Sequence, residues 1–229
     1  ESAKLIDVPV HDRHLGLKKA RLCGQCLREH GYVPATWDLK AYLACPVHGC
    51  LMNKHCHACG QRVLYARPGC SICQCGADLR DAPVVPAPAA LIGFCEILHS
   101  LATGRDNVVA QATMLGMPVN DLLKMDLDVY LRTAVVMANV FHSMEELHVG
   151  NRPDSRFSES LPDVADVFSS WPTKFHALCK AWEIHPTKRS VDDGFQQHFA
   201  WLFARLHKNL KDRRDQTAFL LREAYHFRA

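Results

Sequence analysis

The chain has 229 residues, 48% of them apolar, and a formal net charge of +3. That is enough apolar material for a packed core, which excludes a disordered chain, and the length suits one large domain or two small ones. No stretch approaches about twenty uninterrupted apolar residues, and ESAKLIDVPV lacks a basic segment followed by an apolar core, so a soluble, cytoplasmic protein without membrane contact is expected.

Charge is unevenly distributed. Residues 1–80 carry about +5, 81–165 about −6 and 166–229 about +4. Basic ends around an acidic middle fit contact with nucleic acid, because phosphate binding needs clustered Lys and Arg rather than overall basicity. Ordinary solvated faces account for the same pattern equally well.

Nine of the eleven cysteines fall between Cys23 and Cys75, in paired spacings that favour metal over disulfides. Zinc takes four soft or borderline ligands in a tetrahedron, and the tight turn of Cys-x-x-Cys aims both thiolates at one point. Cys23-Gly-Gln-Cys26 is one half-site, and Cys45-Pro-Val-His48 supplies a thiolate and an imidazole to complete it. Cys56-His-Ala-Cys59 opens a second site, which Cys73-Gln-Cys75 closes. Cys70 is a rival ligand, since Cys70-Ser-Ile-Cys73 has the commoner gap, yet Cys75 is the one followed by glycine. Cys50, His55 and His57 stand close enough in sequence for a ligand exchange.

Both sites can be filled by four protein ligands, the segment has almost no acids between Asp38 and Asp78, and the chain lacks the His-x-Glu of a zinc deaminase. Two structural zinc ions and no catalytic role are therefore expected. Their binding would add on the order of 10 kcal/mol to a region too small to hold itself together.

Ala82-Pro-Val-Val-Pro-Ala-Pro88 reads as an extended spacer. After it, Leu91, Phe94, Cys95, Leu98 and Leu101 recur at helical spacing, predicting a helix from near Pro88 to near Gly104. Val108 to Met125 reads as helix, break, helix around Gly116-Met117-Pro118, with Ala112, Gly116 and Leu122 where a helix-turn-helix places a small residue, a turn glycine and a core aliphatic. Asp121 and Asp126 on the second of these helices would repel phosphate, which favours a packed helical hairpin.

Val129 to Leu147 continues as a helix, and 150–160 is polar and turn-rich, hence a loop. Further helices are predicted over Pro162–Ser170, Lys174–Trp182, Phe195–Leu210 and Gln216–Phe227. Trp171, Trp182, Trp201, Phe175 and Phe199 could stack on bases, but at helical spacing they read as core. Lys208, Lys211, Arg213 and Arg214 form the densest basic cluster. The expected fold class is mainly α with small zinc-ribbon-like β elements: a tandem zinc-finger region at 1–82, a helical region with a helix-turn-helix-like pair at 83–150, and a C-terminal helical bundle at 151–229.

The run Arg21-Leu-Cys-Gly-Gln-Cys-Leu-Arg-Glu-His-Gly-Tyr32, then Trp37-Asp-Leu39, Ala44-Cys-Pro-Val-His48, Leu51 and Cys56-His-Ala-Cys-Gly60 resembles the TniQ family, which includes the TnsD target selectors. Cys73-Gln-Cys-Gly76 with Leu79, and Ser169-Ser-Trp-Pro-Thr-Lys-Phe175, extend the resemblance. It implies a bacterial transposon protein that performs no strand chemistry. Such a protein binds target DNA or a guide-RNA (CRISPR) effector complex and recruits an AAA+ transposition ATPase, and the analogy admits a homodimer. The family's zinc ligands would fall on Cys23, Cys26, Cys45 and His48, then Cys56, Cys59, Cys73 and Cys75. The family's usual helical segment ahead of the first knuckle has no counterpart in the twenty-two residues before Cys23. What that segment does is not carried over.

Overall fold

The computed structural model describes residues 2–5, 7–104, 118–145, 153–183 and 214–228. The chain forms two compact units, Glu1–Arg105 and Asp106–Ala229. Among the described residues there are seven α-helices and two small antiparallel strand pairs, so the protein is mainly helical. No helix among them is long and apolar enough to cross a membrane.

The first unit opens with the hairpin β1 (Ser2–Leu5) and β2 (Val8–His11), paired with Leu5 opposite Val8. Helix α1 (Gly24–His30) begins directly after Cys23 and ends at Gly31, whose φ of +72° lets its N–H return to the Leu27 carbonyl. Gly24 lies flat against the 3-10 turn Leu79–Asp81, where an added Cβ would stand 3.0 Å from the Arg80 carbonyl oxygen. The second hairpin, β3 (Ala44–Cys45) and β4 (Cys50–Leu51), places Cys45 opposite Cys50.

The proline-rich run extends this hairpin instead of separating two domains. The Leu51 N–H donates to the Val85 carbonyl at 2.8 Å, and the Ala87 N–H donates to that of Gly49 at 2.9 Å. Pro86, between them, faces Cys50 with no donor required of it. Helix α2 (Ala89–Thr103) then packs on β3 within the same unit, burying Leu91, Phe94, Cys95, Ile97 and Leu98. The unit thus runs past the boundary expected at residue 82.

In the second unit, α3 (Val119–Leu122) is a single turn and α4 (Leu127–Glu145) is a long helix capped by Asp126, whose Oδ1 accepts from the Val129 N–H at 2.8 Å. Leu127, Val129, Tyr130, Leu131, Ala134, Val136, Met137 and Ala138 are all buried, which marks α4 as the central helix. It packs on α5 (Pro153–Ser169), which in turn packs on α6 (Thr173–Glu183), while α7 (Arg214–Arg228) packs against α3, α4 and α6.

Residues 154–160, expected as loop, are the first turns of α5. Pro153 stands at the helix start, where its missing donor costs nothing. The buried stripe Ser160, Leu161, Val164, Ala165 and Phe168 is long enough to carry Pro162 inside the helix. Most of the expected helix-break-helix, the expected helix Phe195–Leu210, and Lys208, Lys211 and Arg213 lie outside the described residues. Phe175 is fully buried and belongs to the core, and the half-buried Trp171 stacks on it with centroids 4.6 Å apart.

Candidate metal centres

The eight residues singled out by spacing come together as two groups of four. In each, one ligand atom per residue lies within 4.8 Å of the other three: Cys23, Cys26, Cys45 and His48 in the first, Cys56, Cys59, Cys73 and Cys75 in the second. Each group can hold one metal ion.

The first group is assembled by α1 and the second hairpin. Cys23 stands just before the helix and Cys26 in its first turn, so the knuckle aims both thiols at one side. Across from them the hairpin delivers Cys45 and, in the turn, His48. His48 Nδ1 lies 3.5 Å from Cys23 Sγ, 3.2 Å from Cys26 Sγ and 3.6 Å from Cys45 Sγ. The Cys26 and Cys45 sulfurs are 3.5 Å apart.

In the second group Cys56 Sγ is 3.8 Å from Cys75 Sγ, and Cys59 Sγ is 3.9 Å from Cys73 Sγ. Gly60 and Gly76 follow the two knuckles with φ of +69° and +87°, and each returns its N–H to the first cysteine of its turn, Cys56 and Cys73. A residue with a Cβ would strain at both places, so the glycine that separated Cys75 from Cys70 in sequence has a direct structural role. Cys70 is exposed and outside the group, as are the exposed His55 and His57.

Electrostatics favour a cation at both. Hydrogen bonds from the Cys26 and Cys45 thiols push the Cys23 thiol far below its ordinary pKa, and Cys26 is correspondingly pushed far up. The neighbours thus share protons around one thiolate, and a metal ion would replace them. Cys56 is lowered to about 6, chiefly by the backbone N–H of Cys59.

Two further residues stand near the first group, Cys50, expected as a possible exchange ligand, and Glu29, which was not singled out from sequence. Cys50 is buried with its sulfur 3.7 Å from Cys23 Sγ, outside the four-ligand set. Glu29, in the last turn of α1, places Oε1 2.9 Å from His48 Nε2. The signal that could have found it is its spacing of three from Cys26, which puts both on one helix face.

No protein-family model and no curated protein matches this chain.

Proposed function

We propose that the two centres hold zinc as structural ions and that the protein is a non-catalytic target-selection adaptor for transposition, as its TniQ-like sequence implies. It would bind target DNA, a guide-RNA effector complex or both, and recruit an AAA+ ATPase. The observation that carries the structural role is closure: each centre offers four protein ligands, leaving no position for a water or substrate. Zinc fits the spacing. A regular tetrahedron with ordinary Zn–S and Zn–N bonds has S–S edges of about 3.8 Å and S–N edges of about 3.5 Å. Six of the twelve ligand–ligand edges run from 3.2 to 3.9 Å, and all lie within 4.8 Å.

On this view the knuckles are zinc-ribbon-like supports that set the surface of the first unit, and the single turn α3 stands where the second helix of a helix-turn-helix-like pair is expected. A second function has its own support. Asp121 and Asp126 are engaged in an ion pair and a helix cap, so α3 is built into the bundle rather than arranged around cations for a groove. This favours a zinc-stabilised protein–protein scaffold that docks on its partner without touching DNA.

Elemental analysis of protein purified without added metal tests the first step, with two zinc ions per chain expected and release by chelator unfolding the first unit. Absence of zinc from folded, reduced protein would overturn it. Duplex binding measured across a salt series then separates the two functions. An adaptor on DNA loses affinity by about 0.9 log unit per log unit of salt for each phosphate neutralised, whereas a scaffold binds no duplex at any salt and retains the ATPase after nuclease treatment.

A further inference from the structure

We propose that Glu29 is the positioning residue of the first metal centre, holding His48 by its Nε2–H so that Nδ1 faces the metal. The inference rests on the metal assignment above and concerns a residue that is not itself a ligand.

Three observations carry it. His48 Nδ1 looks onto all three thiols of its group, at 3.2–3.6 Å, and the opposite ring nitrogen meets Glu29 Oε1 at 2.9 Å. A neutral imidazole has one lone pair and one N–H, so a ring that gives its lone pair through Nδ1 must carry its proton on Nε2. Glu29 accepts that proton's hydrogen bond, which excludes the other tautomer and makes the ligating nitrogen more basic.

Second, the two partners come from the two halves of the site. Glu29 lies three residues after Cys26 on α1, and His48 sits in the β3–β4 turn, so one helix face supplies a ligand to the ion and a carboxylate to the ligand opposite. The contact fastens hairpin to helix independently of the ion, and it pre-sets the ring that the ion would otherwise have to order.

Third, Glu29 is badly placed for anything else. An acid in the last turn of a helix faces the negative end of the macrodipole, which disfavours it. Its side chain remains 51% exposed, so burial does not explain its orientation either. The other nearby imidazole, His30, approaches only Oε2, at 3.8 Å. Arg28 turns away to the Arg80 carbonyl and Asp81.

The test uses the full chain and its second centre as an internal control. Stepwise zinc affinities are measured by competition with a chromophoric chelator in the wild type, Glu29→Ala, Glu29→Gln and the neighbouring His30→Ala. Co(II) substitution separates the first centre, with three thiolates and an imidazole, from the all-thiolate second centre by their visible bands, and ring 15N–1H correlations identify the ligating nitrogen of His48. Glu29→Ala should weaken the first centre by about 10- to 100-fold and leave the second unchanged. Glu29→Gln should recover most of the loss, because its amide oxygen accepts the same N–H, and His30→Ala should have no effect.

A first-centre affinity within about twofold of wild type in Glu29→Ala, equal losses at both centres, or His48 bound through Nε2 would overturn the assignment. A wild-type chain that takes up neither zinc nor cobalt would instead overturn the metal assignment beneath it.

Discussion

Arg222 and Asp121 join the two ends of the second unit. The guanidinium Nη2 of Arg222, in α7, stands 2.6 Å from Asp121 Oδ2 in α3, and the Asp121 side chain is only 11% exposed while that of Arg222 is 55% exposed. The pair closes a loop of the chain that covers α4, α5 and α6.

A charge pair with one nearly buried member is asymmetric under mutation. Arg222→Ala leaves a desolvated carboxylate without its partner and should cost roughly 1–2 kcal/mol, less than a fully buried pair because the guanidinium is screened by water. Asp121→Asn should cost less than Asp121→Ala, since it keeps a hydrogen-bond acceptor. Urea unfolding followed by far-UV dichroism reads both, and a double-mutant cycle with no coupling between the two positions would show that the pair is not an energetic link.

The second centre offers a choice among cysteines that metal counting can check. Cys75→Ser should reduce metal content from two ions to one, whereas Cys70→Ser should leave both, because Cys70 lies outside the ligand group. The reverse result would move the ligand from the Cys73-Gln-Cys75 turn to the Cys70-Ser-Ile-Cys73 spacing.

Gly24→Ala should destabilise the first unit by about 1–3 kcal/mol. The added methyl would meet two backbone carbonyl oxygens, those of Arg80 at 3.0 Å and Leu79 at 3.1 Å, and backbone yields less readily than a side chain. Thermal unfolding of the zinc-loaded variant measures the loss.

Two tyrosines, the buried Tyr42 and the half-buried Tyr65, give the first unit an alkaline limit. Burial foremost raises the Tyr65 phenol well above its ordinary value, aided by its hydrogen bond to Asp38, and burial likewise raises Tyr42, whose hydroxyl lies 3.2 Å from His99 Nδ1. In the unfolded chain both ionise near about pH 10. Above that point the native state holds protons that the unfolded state has lost, so stability is complete below about pH 10 and falls as pH rises beyond it. Ultraviolet titration should find these phenols protonated until the unit unfolds, and Tyr65→Phe should flatten the decline while removing about 1–2 kcal/mol at neutral pH.

The two groups of four were legible because knuckle chemistry is local: closely spaced cysteines, with a glycine after each pair of the second group, state their own geometry. Helix α2 was legible in the same way, from the buried stripe Leu91, Phe94 and Leu98 between Pro88 and Gly104. Glu29 was harder to find, since its partner is nineteen positions away and its spacing of three from Cys26 does not by itself point to His48. The start of α5 was hidden by polar composition, because a helix half-covered by its neighbours needs apolar residues on one stripe alone. The proline run looked like a spacer because extended backbone reads the same in a linker and beside a hairpin, and the difference lies in the distant Gly49 and Leu51.

That lateral pairing decides how the metal-binding half can be excised. A fragment ending at Ala82 would leave the Leu51 amide and the Gly49 carbonyl facing water and would strip the α2 side chains from β3, beside the very hairpin that carries Cys45 and His48. A transplantable piece must therefore continue through Gly104. Shorter versions should lose grip on the first ion before the second, although every ligand is still present.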